Sequence, residues 1–143
     1  MNNSDQLCWS LQRLAQLNGE AIDLLQLNAV VSEVFHGIDS LESKIISNIC
    51  DKLEWDLVSE FSEPDLAYLP MICHTSSLGW GVIFDRDSKD NWLLDTISGG
   101  NQISGEEPFS GQLFLININK KNLHSWHAVE MKNQQSSGFF TFA

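Results

Sequence analysis

The sequence predicts an α+β fold in which helices come first and an antiparallel sheet follows. Three observations carry this. Before Ser62-Glu63-Pro64, apolar residues recur every three or four positions. After Pro70, short runs rich in Trp, Ile, Val and Phe alternate with turn residues. The links between those runs are short, which favours antiparallel neighbours. At 143 residues and 16.1 kDa the chain fits one domain with a core of its own, divided into 1–118 and a polar segment 119–143.

The elements follow in order. Asp5 is a candidate N-cap for a first helix with Leu7, Leu11, Leu14 and Ala15 at helical spacing, and Asn18-Gly19 supplies its stop. A short second helix is expected from about Glu20 to Leu27, with Ile22, Leu25 and Ala29 on one face. Asp39 or Ser40 would cap a third helix, whose stripe is Leu41, Ile45, Ile46, Ile49 and Leu53. Alternation from Trp55 to Phe61 reads as a strand, and Ser62-Glu63-Pro64-Asp65 as a turn or single helical turn. Four further strands are expected at Met71–Thr75, Trp80–Asp85, Trp92–Asp95 and Gln112–Ile118, with Ser98–Gly111 as a glycine-rich loop. Residues 119–143 are rich in Asn, Gln and Ser and read as a tail or linker.

Composition excludes several functions. Eight basic against nineteen acidic residues give a net charge of −11, which argues against nucleic acid as a partner, since phosphate binding needs clustered Lys and Arg. No apolar run approaches the roughly 20 residues that span a bilayer. The start, Met1-Asn2-Asn3-Ser4-Asp5, lacks a signal peptide's basic and apolar regions, so a cytoplasmic chain is expected. Cys8, Cys50 and Cys73 form neither a CxxC nor a zinc spacing, and reduced thiols are expected. No cofactor is indicated.

A cysteine nucleophile is the first enzymatic possibility. Cys8 lies near a helix start, where the helix dipole would lower a thiol pKa, and His36, His74, His124 and His127 are the available bases. The bland alternative is that Cys8 packs in the core beside Leu11 and Ala15. Cys73 and His74 are adjacent on a strand, so they point to opposite faces and cannot share one site. His124-Ser125-Trp126-His127 has a His-x-x-His spacing, but nothing near it completes a metal site. Glu54, Asp56, Glu60, Glu63 and Asp65 read as a solvated acidic face. Trp80, between Gly79 and Gly81, is either a core anchor or the floor of a binding groove.

One succession of motifs is distinctive: Leu69-Pro70-Met71-Ile72, Gly79-Trp80-Gly81-Val82-Ile83, Trp92-Leu93-Leu94-Asp95, Gly99-Gly100 and Ser110-Gly111-Gln112-Leu113-Phe114-Leu115-Ile116. In order and spacing it resembles the bacteriocin-processing (double-glycine) cysteine peptidase domain found at the N-terminus of ATP-driven bacterial exporters. The resemblance spans roughly residues 4–118 and implies a papain-like cysteine peptidase fold.

Carried over residue by residue, the resemblance puts the nucleophile thirteen positions before Gly19, at Gln6, after a matching Asp5. Cys8 is two residues further on, about 200° around the helix. The family's histidine falls at Trp80 and its carboxylate at Asp95. An amide is no nucleophile, and an indole cannot take a proton from a thiol. The chain therefore looks like a degenerate peptidase-like domain, similar to those on type I secretion exporters of toxins or adhesins. That implies docking of an unfolded secreted polypeptide at Trp80, Gln6 and Asp95 without cleavage. It also implies partner transmembrane and nucleotide-binding domains, and a place on the cytoplasmic face of a bacterial inner membrane. The alternative from the same family is an active leader peptidase using Cys8 with His74.

Overall fold

The computed structural model describes residues 2–37 and 41–118. Helix α1 runs Asn3–Leu17. Its N-cap is Asn2, not the expected Asp5: the Asn2 Oδ1 accepts the Asp5 N–H at 2.8 Å. Leu7, Ser10, Leu11, Leu14 and Ala15 form its buried stripe. The expected stop holds, with Gly19 at φ 71°, a left-handed conformation that costs glycine little, and Glu20 N–H donating to the Ala15 carbonyl at 2.8 Å.

Helix α2 runs Leu24–Gly37, later and longer than the expected Glu20–Leu27. Asp23 makes the difference: its Oδ1 accepts the N–H groups of Leu25 and Gln26 at 3.0 and 3.2 Å, so the helix starts after it. The buried stripe is Leu27, Val31 and Val34, while Leu25 is 82% exposed and takes no part in the expected face. Helix α3, Glu42–Leu53, buries Ile45, Ile46 and Ile49 of the expected stripe and adds Cys50, while Leu53 is half-buried and Leu41, before the helix, is exposed. Its N-cap position is Leu41, without a side-chain cap; the expected Asp39 and Ser40 lie outside the described residues.

Six strands follow: β1 Asp56–Phe61, β2 Met71–Thr75, β3 Gly79–Arg86, β4 Asn91–Thr96, β5 Gly99–Ser104 and β6 Gly111–Asn117. The turn after β1 lies later than expected, as a 3-10 turn over Leu66–Tyr68 capped by the Asp65 carboxylate. All pairings are antiparallel, in the order β1-β6-β2-β3-β4-β5. Strand β5 corrects the expectation of a loop over Ser98–Gly111. The expected tail, 119–143, lies outside the described residues.

Period-two alternation gives the sheet two apolar faces. Ile72, Trp80, Val82, Phe114 and Ile116 meet Leu7, Leu11, Leu14 and the stripes of α2 and α3. On the other face Met71, Cys73, Ile83, Trp92, Leu94 and Leu113 pack with Phe109. That second layer is closed partly by Glu63, whose carboxylate oxygens accept the Phe109 N–H at 3.0 and 3.2 Å. Glu63 is thus committed to a loop and is not merely part of a solvated acidic face. Among the described residues no helix is long and apolar enough to cross a membrane.

Candidate functional site

The first turn of α1 rests against the start of β3. Gln6 Oε1 accepts the Trp80 backbone N–H at 3.3 Å. The approach is close because residue 79 is glycine: it sits at φ +76°, and a Cβ there would collide with the Gln6 amide. Gly81 serves the other side of the strand, where a Cβ would stand 2.7 Å from the Asp95 carbonyl oxygen. The two glycines therefore let α1 and β4 close upon β3. They do not open a face of Trp80, which is 1% exposed. Its ring lies between His74 and Phe114, at centroid distances of 4.8 and 6.2 Å. Of the two readings of Trp80, the core anchor is the one the structure bears out. A direct ring contact with a docked peptide is corrected, because no ring face is available.

Asp95 lies on the same face of the sheet as Trp80, since Val82 pairs with Asp95 and Trp80 precedes Val82 by two. It is not a carboxylate with nothing to hold. Arg13, two turns along α1 from Gln6, donates from Nε to Asp95 Oδ2 at 3.0 Å. Sequence reasoning missed Arg13. It is the only basic residue of α1, on a helix expected to lie against the sheet, and that was the available signal. Gln6, Trp80 and Asp95 thus share one seam between α1 and the β3–β4 pair, and each is already engaged within the chain.

The alternative pair is not brought together by its partners. The Cys8 thiol donates to Asn28 Oδ1 of α2 at 2.8 Å. Burial raises its pKa, and the nearby Asp5 carboxylate adds to the rise, the reverse of the expected helix-start activation. His74 turns instead to Glu42 at the start of α3, with Nδ1 and Oε2 3.7 Å apart, and to the Trp80 ring. Cys73, on the opposite face as predicted, is fully buried, and burial pushes its thiol up to about 12. Cys50 is also pushed up to about 12, by burial first and then by Asp51 and Asp56. His36 bonds to its own helix, at 2.7 Å from the Ser32 carbonyl. His124 and His127 lie outside the described residues.

Beyond Asp95 the helix-facing side of the sheet is open. Phe84, Leu93, Leu94, Asp95, Gly100, Asn101 and Gln102 line a shallow groove of about 550 Å³ beside β5. This is the concavity next to the seam.

Neither a protein-family model nor a curated protein matches the sequence. Among solved structures, the chain is similar to the crystal structure of the N-terminal peptidase C39 like domain of the toxin secretion ATP-binding protein from Vibrio parahaemolyticus. The superposition has a TM-score of 0.56 at 15% identity and covers 82% of this chain and 98% of that one. That neighbour is the kind of domain the sequence resemblance names, and three helices on a six-stranded antiparallel sheet agree with it. The chain has the α+β, papain-like fold of a peptidase C39-like domain.

Proposed function

We propose that this chain is a non-cleaving peptidase-like domain that docks an unfolded secreted polypeptide for a type I exporter. One observation carries the reading. Where the resemblance puts a nucleophile and a base, the structure has the Gln6 amide bonded to the Trp80 backbone and the Trp80 ring sealed in the core. Covalent peptide cleavage needs a thiolate and a group to take its proton, and the seam offers neither. The Arg13–Asp95 pair supports the same reading, because the carboxylate that would orient an imidazole is bound to a guanidinium.

The parent protein on this reading supplies the transmembrane and nucleotide-binding domains, and the chain sits at the cytoplasmic face of the inner membrane. The structural neighbour is a domain of a toxin secretion ATP-binding protein, which supports that assignment. The test is titration of the labelled protein with a permanently unfolded polypeptide and with its folded form. Saturable binding of the unfolded form alone, with its mass unchanged after incubation, is the expected result. Absence of binding, or a shortened polypeptide, overturns the reading.

A further inference from the structure

The sheet has two edges among the described residues, β1 and β5. Edge strands present unpaired backbone N–H and C=O groups and invite further pairing unless something blunts them. Strand β1 is blunted twice. Its register slips between Leu57 and Ser59, leaving Val58 as a bulge, and it carries the charged side chains Asp56 and Glu60. Strand β5, Gly99-Gly100-Asn101-Gln102-Ile103-Ser104, has no bulge, no proline and no charge. All six of its residues pair in unbroken register with β4. Apart from Ile103, which packs against the second apolar layer, its side chains are small or polar, so little besides backbone stands along its outer edge.

We propose that β5 takes an extended polypeptide segment as a seventh strand, placing the docked chain along the outer rim of the groove next to Asp95. The proposal rests on the docking function and names its site. Charge selects the occupant. Around Gly99 the nearest carboxylate, Asp95, is neutralised by Arg13. At the Ser104 end, Glu106 and Glu107 follow directly, and the β3–β4 turn brings Asp87 and Asp90 close through the Gly105 N–H bond to the Asp90 carbonyl at 2.9 Å. Arg86 and Lys89 offset only part of that charge. The edge therefore fits a segment that is uncharged where it pairs and basic at the end beside Ser104. A second copy of this chain fits poorly, since each carries a net charge of −11.

Strand addition draws its affinity from backbone bonds and is tolerant of side chains, as an unfolded cargo requires. The probe is a ten-residue peptide of alternating Thr and Val with two lysines at one end. Two further forms are N-methylated at alternate residues, along one backbone edge or the other. In the free protein the outward amides of 99–104 are expected to exchange rapidly. The peptide is expected to shift and protect them, one methylated isomer to bind about tenfold more weakly or worse, and the other to bind normally, because several backbone bonds are lost in only one. Replacing the lysines by glutamates is expected to weaken binding by a similar factor. Equal binding of both isomers, shifts confined to other surfaces, protection of these amides before any peptide is added, or pairing of two copies overturns the β5 assignment. If the unfolded polypeptide of the preceding test binds while β5 is silent, the docking function stands and only its site is wrong; if neither binds, the function falls as well.

Discussion

The two ends of α1 are fastened to the sheet in opposite ways. At the first turn, Gln6 and Gly79 close over a Trp80 ring with 1% exposure. Two turns later, Arg13 meets Asp95 with a third and about a quarter of their side-chain surfaces in water, at 33% and 23%. The first contact is apolar burial with one neutral hydrogen bond. The second is a half-exposed ion pair. Burial carries stability in proportion to area, while half-exposed pairs are weakened by water and salt. The Trp80 ring thus anchors the start of α1 in the core, and the Asp95 carboxylate clasps the helix further along at the surface.

Breaking the buried end is expected to have the largest effect. Trp80→Ala should cost about 3–5 kcal/mol, measured by denaturant unfolding. Retention of near wild-type stability would show that the ring is not the anchor. Beneath Trp80, on the other face of the same strands, lies Cys73. Its folded thiol keeps its proton until about pH 12, whereas the unfolded thiol gives it up near pH 9. The folded state then binds more protons, so stability falls as pH rises through that window, at up to about 1.4 kcal/mol per pH unit. Cys50 is raised to about 12 too, so Cys73→Ala should remove about half of the alkaline slope of the two thiols, and an unchanged slope would assign it to other groups.

Gly81→Ala presses a methyl group against the β4 backbone and should cost about 1–3 kcal/mol. Gln6→Ala removes one neutral acceptor from the Trp80 N–H and should cost about 1 kcal/mol. Arg13→Ala, at the exposed end, should cost only about 0.2–1 kcal/mol, and less in high salt. A larger loss at Arg13 than at Gln6 would invert the comparison.

The same contrast explains what could be read in the sequence. Strand β2 matches its expected bounds, Met71–Thr75, because four of its five residues are buried and Pro70 marks its start. Strand β5 was illegible because its burial is slight: it exists by pairing to β4, and Ile103 is the one apolar side chain in Gly-Gly-Asn-Gln-Ile-Ser that packs on a core layer. The start of α2 was lost because a single capping residue, Asp23, outweighed the apolar positions before it. At the site, the positions of Gln6, Trp80 and Asp95 followed from the order of motifs. Their partners did not. The burial of Trp80 and the Arg13–Asp95 bond depend on how α1 lies across β3 and β4, a tertiary fact with no local pattern.

The most direct measurement is incubation of the purified chain with a peptide that carries a Gly-Gly leader, followed by mass analysis, alongside the Cys8→Ser variant. The account predicts an intact peptide with both proteins. Cleavage after the glycines that disappears in the Cys8→Ser variant would contradict it.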